Sequence, residues 1–92
     1  MNTVTEIMTF ADSAPHLIEC RENITSKHVS GELNGYEFYC AMMEFAVVAK
    51  NCMKLEMPEE FNKMPYVYPR DIAEIATTYI NLYATENNKE KG

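Results

Sequence analysis

GYEFYCAMMEFAVVAKNCMK, residues 35–54, lies in the longest part of the chain without proline and is its most apolar segment. Glu44 is the only charged residue in its central part. Alanine, methionine and glutamate all favour helix. Asn34, three residues before Glu37, has the spacing of an N-cap with a reciprocal capping partner. The segment therefore predicts a helix about 30 Å long.

The apolar character of this helix decides how the rest of the chain must pack. A helix that is apolar on nearly all sides must be buried on nearly all sides. A chain of 92 residues forms one domain with a marginal core. Either the other helices surround this helix, or a second copy of the chain covers what they leave open. We predict a single all-α domain over residues 1–92, with about four helices packed around helix 35–54, that forms a homodimer.

Apolar spacing predicts two short helices before this segment. The first covers residues 3–12, and its inward face carries apolar residues at i, i+3, i+4 and i+7. The second begins at Pro15, which suits a first helical turn, and runs to Ile24. A single kinked helix is the alternative. Residues 25–34 are polar and predict a connection, although Asn34-Gly35 would signal a hairpin if strands flanked it.

Prolines divide the segment that follows. Residues 58–64 predict a short helical turn, and the prolines on either side of residues 66–68 predict extended backbone. The last helix begins at Pro69, and residues 85–92 are expected to be a polar, frayed tail. The apolar stripe of this last helix consists of Ile72, Ile75, Ala76, Tyr79, Ile80 and Tyr83.

The charge of the chain excludes some partners and favours others. Fourteen acidic and eight basic residues give a net charge of −6 and a pI of about 4.8. This disfavours direct binding to nucleic acid, which requires cations at the phosphates, and to anionic membranes. It favours basic protein partners.

The cysteines and the lengths of the apolar runs indicate the cellular compartment. Three cysteines do not form a paired disulfide framework. Cys40 and Cys52 are twelve residues apart on one predicted helix, too far apart for a disulfide. We expect a reducing cytoplasm, with no signal peptide and no membrane span.

Catalytic and metal-binding signals are weak. His16 and Cys20 are at i, i+4, but two ligands do not close a zinc site, so we predict no metal and no cofactor. Cys40 and Cys52 have no histidine nearby in sequence to act as a base. Glycine-rich phosphate loops are absent from the sequence. We therefore predict a protein that is not an enzyme.

Carboxylates are the most informative residue class. Most such residues simply form a solvated surface, but they can also imitate phosphates if the cations lie elsewhere. The residues predicted to form a phosphate-like surface are Glu6, Asp12, Glu19, Glu22, Glu32, Glu37, Glu44, Glu59, Glu60, Asp71 and Glu74.

Aromatic and methionine side chains offer a second kind of surface. Met42 and Phe45 are predicted as core or dimer contacts. Tyr66 and Tyr68, in the segment between prolines, are the better candidates for an interface with a partner. An adaptor, assembly chaperone or antitoxin that uses this apolar and tyrosine-rich patch is the alternative function.

The whole chain resembles a known type of small acidic protein. Residues 1–25, MNTVTEIMTFADSAPHLIECRENIT, and residues 50–74, KNCMKLEMPEEFNKMPYVYPRDIAE, resemble the early proteins of T-even phages, in particular the Arn family of anti-restriction proteins. The resemblance lies in length, acidity and sequence texture, and no signature motif carries individual residue roles across.

The resemblance implies a dimeric, non-enzymatic DNA mimic in the cytoplasm of the host cell. Its targets would be basic DNA-binding host proteins, namely the restriction nuclease McrBC and the nucleoid protein H-NS.

Overall fold

Five helices form the described part of this computed structural model, and no strand occurs within it. They are α1 (Thr3–Ser13), α2 (Pro15–Val29), α3 (Gly35–Glu56), α4 (Pro58–Asn62) and α5 (Pro69–Lys91). The predicted all-α class is confirmed. The short helical turn predicted over residues 58–64 is α4, which ends two residues earlier, at Asn62.

The structure describes the backbone of residues 2–91 and the side chains of residues 2–83. Helix α5 runs through Lys91. The predicted fraying of residues 85–92 lies outside the described side chains and stays a prediction.

Side-chain caps mark the starts of α1 and α3. The Glu37 N–H donates to Asn34 Oδ1 at 2.8 Å, and the Asn34 N–H donates to Glu37 Oε1 at 2.9 Å. This capping box starts α3 at the predicted position, and the hairpin alternative at Asn34-Gly35 was wrong. Asn2 caps α1 by accepting from the Thr5 N–H at 3.1 Å.

Helix α2 is longer than its sequence pattern indicated. We predicted a connection over residues 25–34, but the helix continues to Val29. Polar side chains are accommodated there because the Thr25 hydroxyl donates back to the Arg21 carbonyl at 3.0 Å. The ring of His28 stacks on Phe38 with a centroid distance of 4.2 Å, which anchors the end of α2 against α3. Ala14 has extended backbone, so α1 and α2 are two helices and not one kinked helix.

Helix α3 contacts each of the other four helices. Met42, Ala46 and Ala49 on its inward face are fully buried, and Phe45 is 2% exposed, so the predicted core placement of Met42 and Phe45 holds within one chain. The ring of Phe45 meets Tyr79 of α5 edge to face at 5.7 Å. The other buried apolar residues are Val4, Ile7, Ala11, Ala14, Leu17, Phe38, Met53, Ile72, Ile75 and Ala76.

The opposite face of α3 is open in the single chain. Tyr36 is 75% exposed and Leu55 is 82% exposed, and Val47 and Val48 are also exposed. We expected burial on nearly all sides, but α1, α2, α4 and α5 together cover only one side of this helix. We refer to Tyr36, Val47, Val48 and Leu55 as the open apolar face.

Candidate functional site

Negative charge is distributed unevenly along the folded chain. Residues 2–49, which include α1, α2 and most of α3, carry seven carboxylates and two cations, a net charge of −5. Residues 50–83 carry five carboxylates and four cations, a net charge of −1. Since α1, α2 and α3 pack against one another, the acidic part of the sequence is also one part of the fold.

The predicted phosphate-like residues differ in accessibility. Half-buried positions are Glu6, Glu60 and Asp71. Exposed positions are Asp12, Glu19, Glu22, Glu32, Glu37, Glu44, Glu59 and Glu74. Most of the set is therefore free to meet a partner.

Some of these carboxylates already have structural roles. Glu37 caps α3, and Asp71 Oδ2 accepts from the Tyr68 N–H at 2.8 Å at the start of α5. Glu60 lies 3.6 Å from the Lys63 ammonium. These carboxylates help to hold local backbone or a neighbouring cation, and are less available for a partner than Glu19 and Glu22 on the exposed side of α2.

Asp12 belongs to a polar network that connects α1, α2 and α5. Its Oδ1 accepts from Arg21 Nη1 at 2.7 Å and from the Tyr79 hydroxyl at 2.9 Å. The Arg21 side chain is only 11% exposed. Its guanidinium lies over the rings of Tyr79 and Tyr83, at 5.3 and 5.0 Å from their centroids.

This network has two consequences for charge. Burial is the main cause that raises the pKa of Tyr79 well above its ordinary value, and the hydrogen bond to Asp12 raises it further. The hydroxyl therefore stays protonated and neutral. Arg21 is largely withdrawn from the surface, so Lys27 is the only exposed cation within residues 2–49. Arg21 Nε is buried without a hydrogen-bond partner, and stacking on the two rings offsets part of that cost.

The remaining described cations lie in the other part of the fold. Lys50 and Lys54, one turn apart on α3, line a groove together with Tyr66. Lys63 follows α4, and Arg70 lies in the first turn of α5 with its guanidinium 5.2 Å from the ring centroid of Tyr68. Four of the six described cations thus follow residue 49, where the exposed carboxylates Glu56, Glu59 and Glu74 also lie.

The tyrosines between the prolines are placed on the surface. Tyr66 is 73% exposed and Tyr68 is 48% exposed. Their rings meet edge to face at 4.9 Å, in a segment without regular secondary structure. They form a small exposed aromatic patch, in which the Arg70 guanidinium covers part of Tyr68.

His16 has different neighbours from those that its sequence spacing indicated. Cys20 is one turn away on α2, but the groups that converge with His16 are Cys52 and Glu56 from the end of α3. His16 Nε2 lies 3.5 Å from Glu56 Oε2. Sequence spacing did not indicate this cluster, because His16 is 36 residues from Cys52 and 40 from Glu56; only the i, i+4 spacing of Cys52 and Glu56 offered a signal.

Comparison with known proteins adds no relative. Neither protein-family models, nor curated proteins, nor solved structures match the chain. Among the described residues, no helix has the length and apolar character needed to cross a membrane.

Proposed function

We propose that this protein is a non-enzymatic, acidic DNA mimic that occupies the DNA-binding surface of basic host proteins. The restriction nuclease McrBC and the nucleoid protein H-NS are the proposed targets, in the cytoplasm of a phage-infected cell. These targets rest on the resemblance to the Arn family, whereas the phosphate-like charge rests on the placement of carboxylates and cations in the fold.

The separation of charge is the observation that carries the proposal. A phosphate mimic requires carboxylates on a surface from which cations are kept away. In residues 2–49, Arg21 pairs with Asp12 and stacks on two tyrosine rings, which withdraws this cation from the surface. Glu19, Glu22, Glu32 and Glu44 remain exposed, with Lys27 as the sole exposed cation in that segment.

The number of carboxylates is adequate for this role. The molecule extends 43 Å along its longest axis. Duplex DNA of that length carries about 25 charges, but a DNA-binding protein typically contacts only ~6–10 phosphates. Glu19, Glu22 and Glu32 of each chain are exposed, have no capping role or ion pair and lie away from the open apolar face, so two chains of a dimer would present six such carboxylates, at the lower end of that range. A partner could therefore find on a dimer about as many anionic groups as it contacts on DNA.

A homodimer through the open apolar face is part of the proposal. Covering Tyr36, Val47, Val48 and Leu55 would remove apolar surface from water and stabilise the folded chain. This stabilisation matters because the core of so small a domain is marginal. A stable interface requires about 800 Å² from each partner. The single chain exposes 5875 Å², so roughly one seventh of its surface would suffice. Glu44 lies one turn before Val47 and Val48 on the same face and would be covered with them, so the acidic surface of two copies would be formed by Glu19, Glu22 and Glu32 of each chain.

Sedimentation equilibrium tests the dimer directly. We expect the wild type to sediment as a dimer and Val47→Glu to sediment as a monomer with an unchanged helical spectrum. Glu74→Gln, on an exposed site of α5, is the control and should remain dimeric. A wild type that stays monomeric at high concentration would remove the dimer from the proposal without affecting charge mimicry.

A competition assay tests the mimicry. H-NS is held on labelled duplex DNA, and the protein is added at low and at high salt. We expect release of the DNA at low salt, weaker release at high salt because charge pairing is screened, and no direct contact between this protein and DNA. Failure to release DNA at low salt, with H-NS shown to be active, would refute H-NS as a target, and failure across further DNA-binding proteins would refute mimicry.

Matched charge variants locate the surface. Glu22→Gln and Asn62→Lys each raise the net charge by one, but at different sites. We expect Glu22→Gln to weaken release more than Asn62→Lys, and Glu19→Lys with Glu22→Lys to weaken it about tenfold, the equivalent of ~1.4 kcal/mol. Equal effects of the two matched variants would show that net charge alone matters and not an acidic surface on α2.

An adaptor, assembly chaperone or antitoxin is the second candidate, because Tyr66 and Tyr68 present exposed aromatic rings. Aromatic anchors often dominate protein interfaces. In that case Tyr66→Ala should weaken partner binding more than the Glu19 and Glu22 reversals do, and binding should persist at high salt. The same salt series therefore separates the two functions.

A further inference from the structure

We propose that His16, Cys52 and Glu56 form a binding site for a divalent transition-metal ion of the zinc class. The site lies where the first turn of α2 meets the last turns of α3. One ligand atom from each residue lies within 4.8 Å of the other two. The inference is independent of the proposed DNA mimicry, since none of the three residues is needed for the acidic surface on α2.

The three side chains supply the donor types that zinc prefers. Zinc binds imidazole nitrogen, thiolate sulfur and carboxylate oxygen, and most often takes four ligands in a tetrahedron. Binding would displace the proton of the Cys52 thiol into solvent, so that one thiolate and one carboxylate balance the charge of the dication. Calcium and magnesium prefer all-oxygen sites and are poor matches for a histidine and a cysteine.

The distances require only a small adjustment. Tetrahedral zinc with bonds of ~2.0–2.3 Å places its ligand atoms ~3.3–3.8 Å apart. His16 Nε2 and Glu56 Oε2 already lie 3.5 Å apart. The remaining separations are at most 4.8 Å, so side-chain movement of about 1 Å closes the site. Such movement is available because the side chains of His16 and Glu56 are 57% and 51% exposed.

Ordered backbone holds the ligands in place. Cys52 and Glu56 are one turn apart on α3 and therefore share a face. His16 lies between Pro15, the first residue of α2, and Leu17, which is 1% exposed and anchored in the core. The ligands thus come from two helices that already pack together, and an ion would connect them.

The exposure of the site fits an open fourth position. With three protein ligands, water completes the tetrahedron. Cys20, the sequence neighbour of His16 by helical spacing, is not part of the cluster. This difference provides a matched control, because Cys20 and Cys52 are both free thiols and only Cys52 converges with His16 and Glu56.

Cobalt titration of the chelator-treated, reduced protein tests the site. We expect one Co²⁺ per chain, with the charge-transfer absorption of a cobalt–thiolate bond, and displacement of that absorption by Zn²⁺ but not by Ca²⁺. Saturation with Zn²⁺ at a hundred times its dissociation constant should raise the midpoint of thermal unfolding by on the order of 10 °C.

Variants assign the ligands. Cys52→Ser should abolish the charge-transfer absorption. His16→Gln and Glu56→Gln should each weaken Co²⁺ binding at least ~10-fold, because losing even a hydrogen-bond partner of a metal ligand typically has an effect of that size. Cys20→Ser and Glu59→Gln should bind as the wild type does. All variants are compared by their helical spectra, and the His16 and Glu56 changes are at exposed side chains that the fold tolerates.

Two results would overturn the proposal. In the first, the wild type binds Co²⁺ no more tightly than His16→Gln or Glu56→Gln, which would leave His16 and Glu56 as an ion pair only. In the second, the charge-transfer absorption survives in Cys52→Ser and disappears in Cys20→Ser, which would assign metal binding to the His16 and Cys20 pair on α2.

Discussion

Replacement of Asp12 by alanine should destabilise the protein far more than replacement of any fully solvated carboxylate. The Asp12 side chain is 51% exposed, but the Arg21 side chain that it pairs with is 11% exposed. Removing one partner of a fully buried ion pair costs ~3–5 kcal/mol, whereas an exposed pair contributes ~0.2–1 kcal/mol. The half-exposed geometry lies between these limits, at about 2 kcal/mol.

The lost contact with Tyr79 adds to this cost. Its hydroxyl donates to Asp12 Oδ1 at 2.9 Å, and an unmade hydrogen bond of this kind costs ~1 kcal/mol. Asp12→Ala should therefore lower the free energy of unfolding by about 3 kcal/mol, which corresponds to a fall of roughly 15 °C in Tm for a domain of this size. Asp12→Asn retains an acceptor for Tyr79 and should cost about 1–2 kcal/mol.

Urea unfolding followed by far-ultraviolet circular dichroism measures these differences. Glu22→Ala is the matched control, because it removes an exposed carboxylate and should change stability by less than ~0.5 kcal/mol. Replacing Arg21 by methionine as well should recover part of the loss in Asp12→Ala, since the unpaired buried charge is then gone. The reasoning would be refuted if Asp12→Ala and Glu22→Ala had the same stability.

Three further predictions concern local features of the fold. Asn34→Ala removes the cap of α3 and should cost ~1 kcal/mol in urea unfolding, whereas a change below ~0.3 kcal/mol would argue against the capping box. Gly31 has a φ of +90°, so Gly31→Ala should destabilise by about 1 kcal/mol, while Gly35→Ala, at the start of α3 with open space around it, should be neutral or stabilising in the same assay. In an alkaline absorbance titration Tyr79 should be the last tyrosine to ionise, because its pKa is raised in the folded protein. The stability that this raised pKa contributes is complete below the ordinary tyrosine pKa of about 10 and is lost as the pH rises through the folded pKa. A Tyr79→Phe variant that retained the late ionisation phase would contradict this assignment.

Local sequence patterns were sufficient to predict most of the helical structure. The capping box at Asn34 and Glu37, the proline at the start of α2 and the apolar stripe of α5 act within one or two helical turns, so they can be recognised without knowledge of the fold. The end of α2 was predicted five residues too early. The contacts of His28 with Phe38 and Leu33 stabilise the polar last turns of α2 as helix, and these contacts are not visible in the sequence.

The placement of charge depended on tertiary packing. The sequence shows the net charge, but it does not show that Arg21 lies beneath two tyrosine rings or that it pairs with Asp12. Asp12 and Tyr79 are 67 residues apart and meet only because α1 and α5 pack together. The withdrawal of Arg21 from the surface is therefore a property of the folded chain.

The helical class, the helix starts and the acidity of this protein could be predicted from local patterns, because backbone propensity, capping and charge are local or additive. Packing selects which side of α3 stays open, which cations leave the surface and which groups surround His16. Those outcomes depend on contacts between helices distant in sequence. The cluster of His16, Cys52 and Glu56 shows the difference most clearly, because the i, i+4 pattern indicated Cys20 and the packing of α2 on α3 selected Cys52 instead.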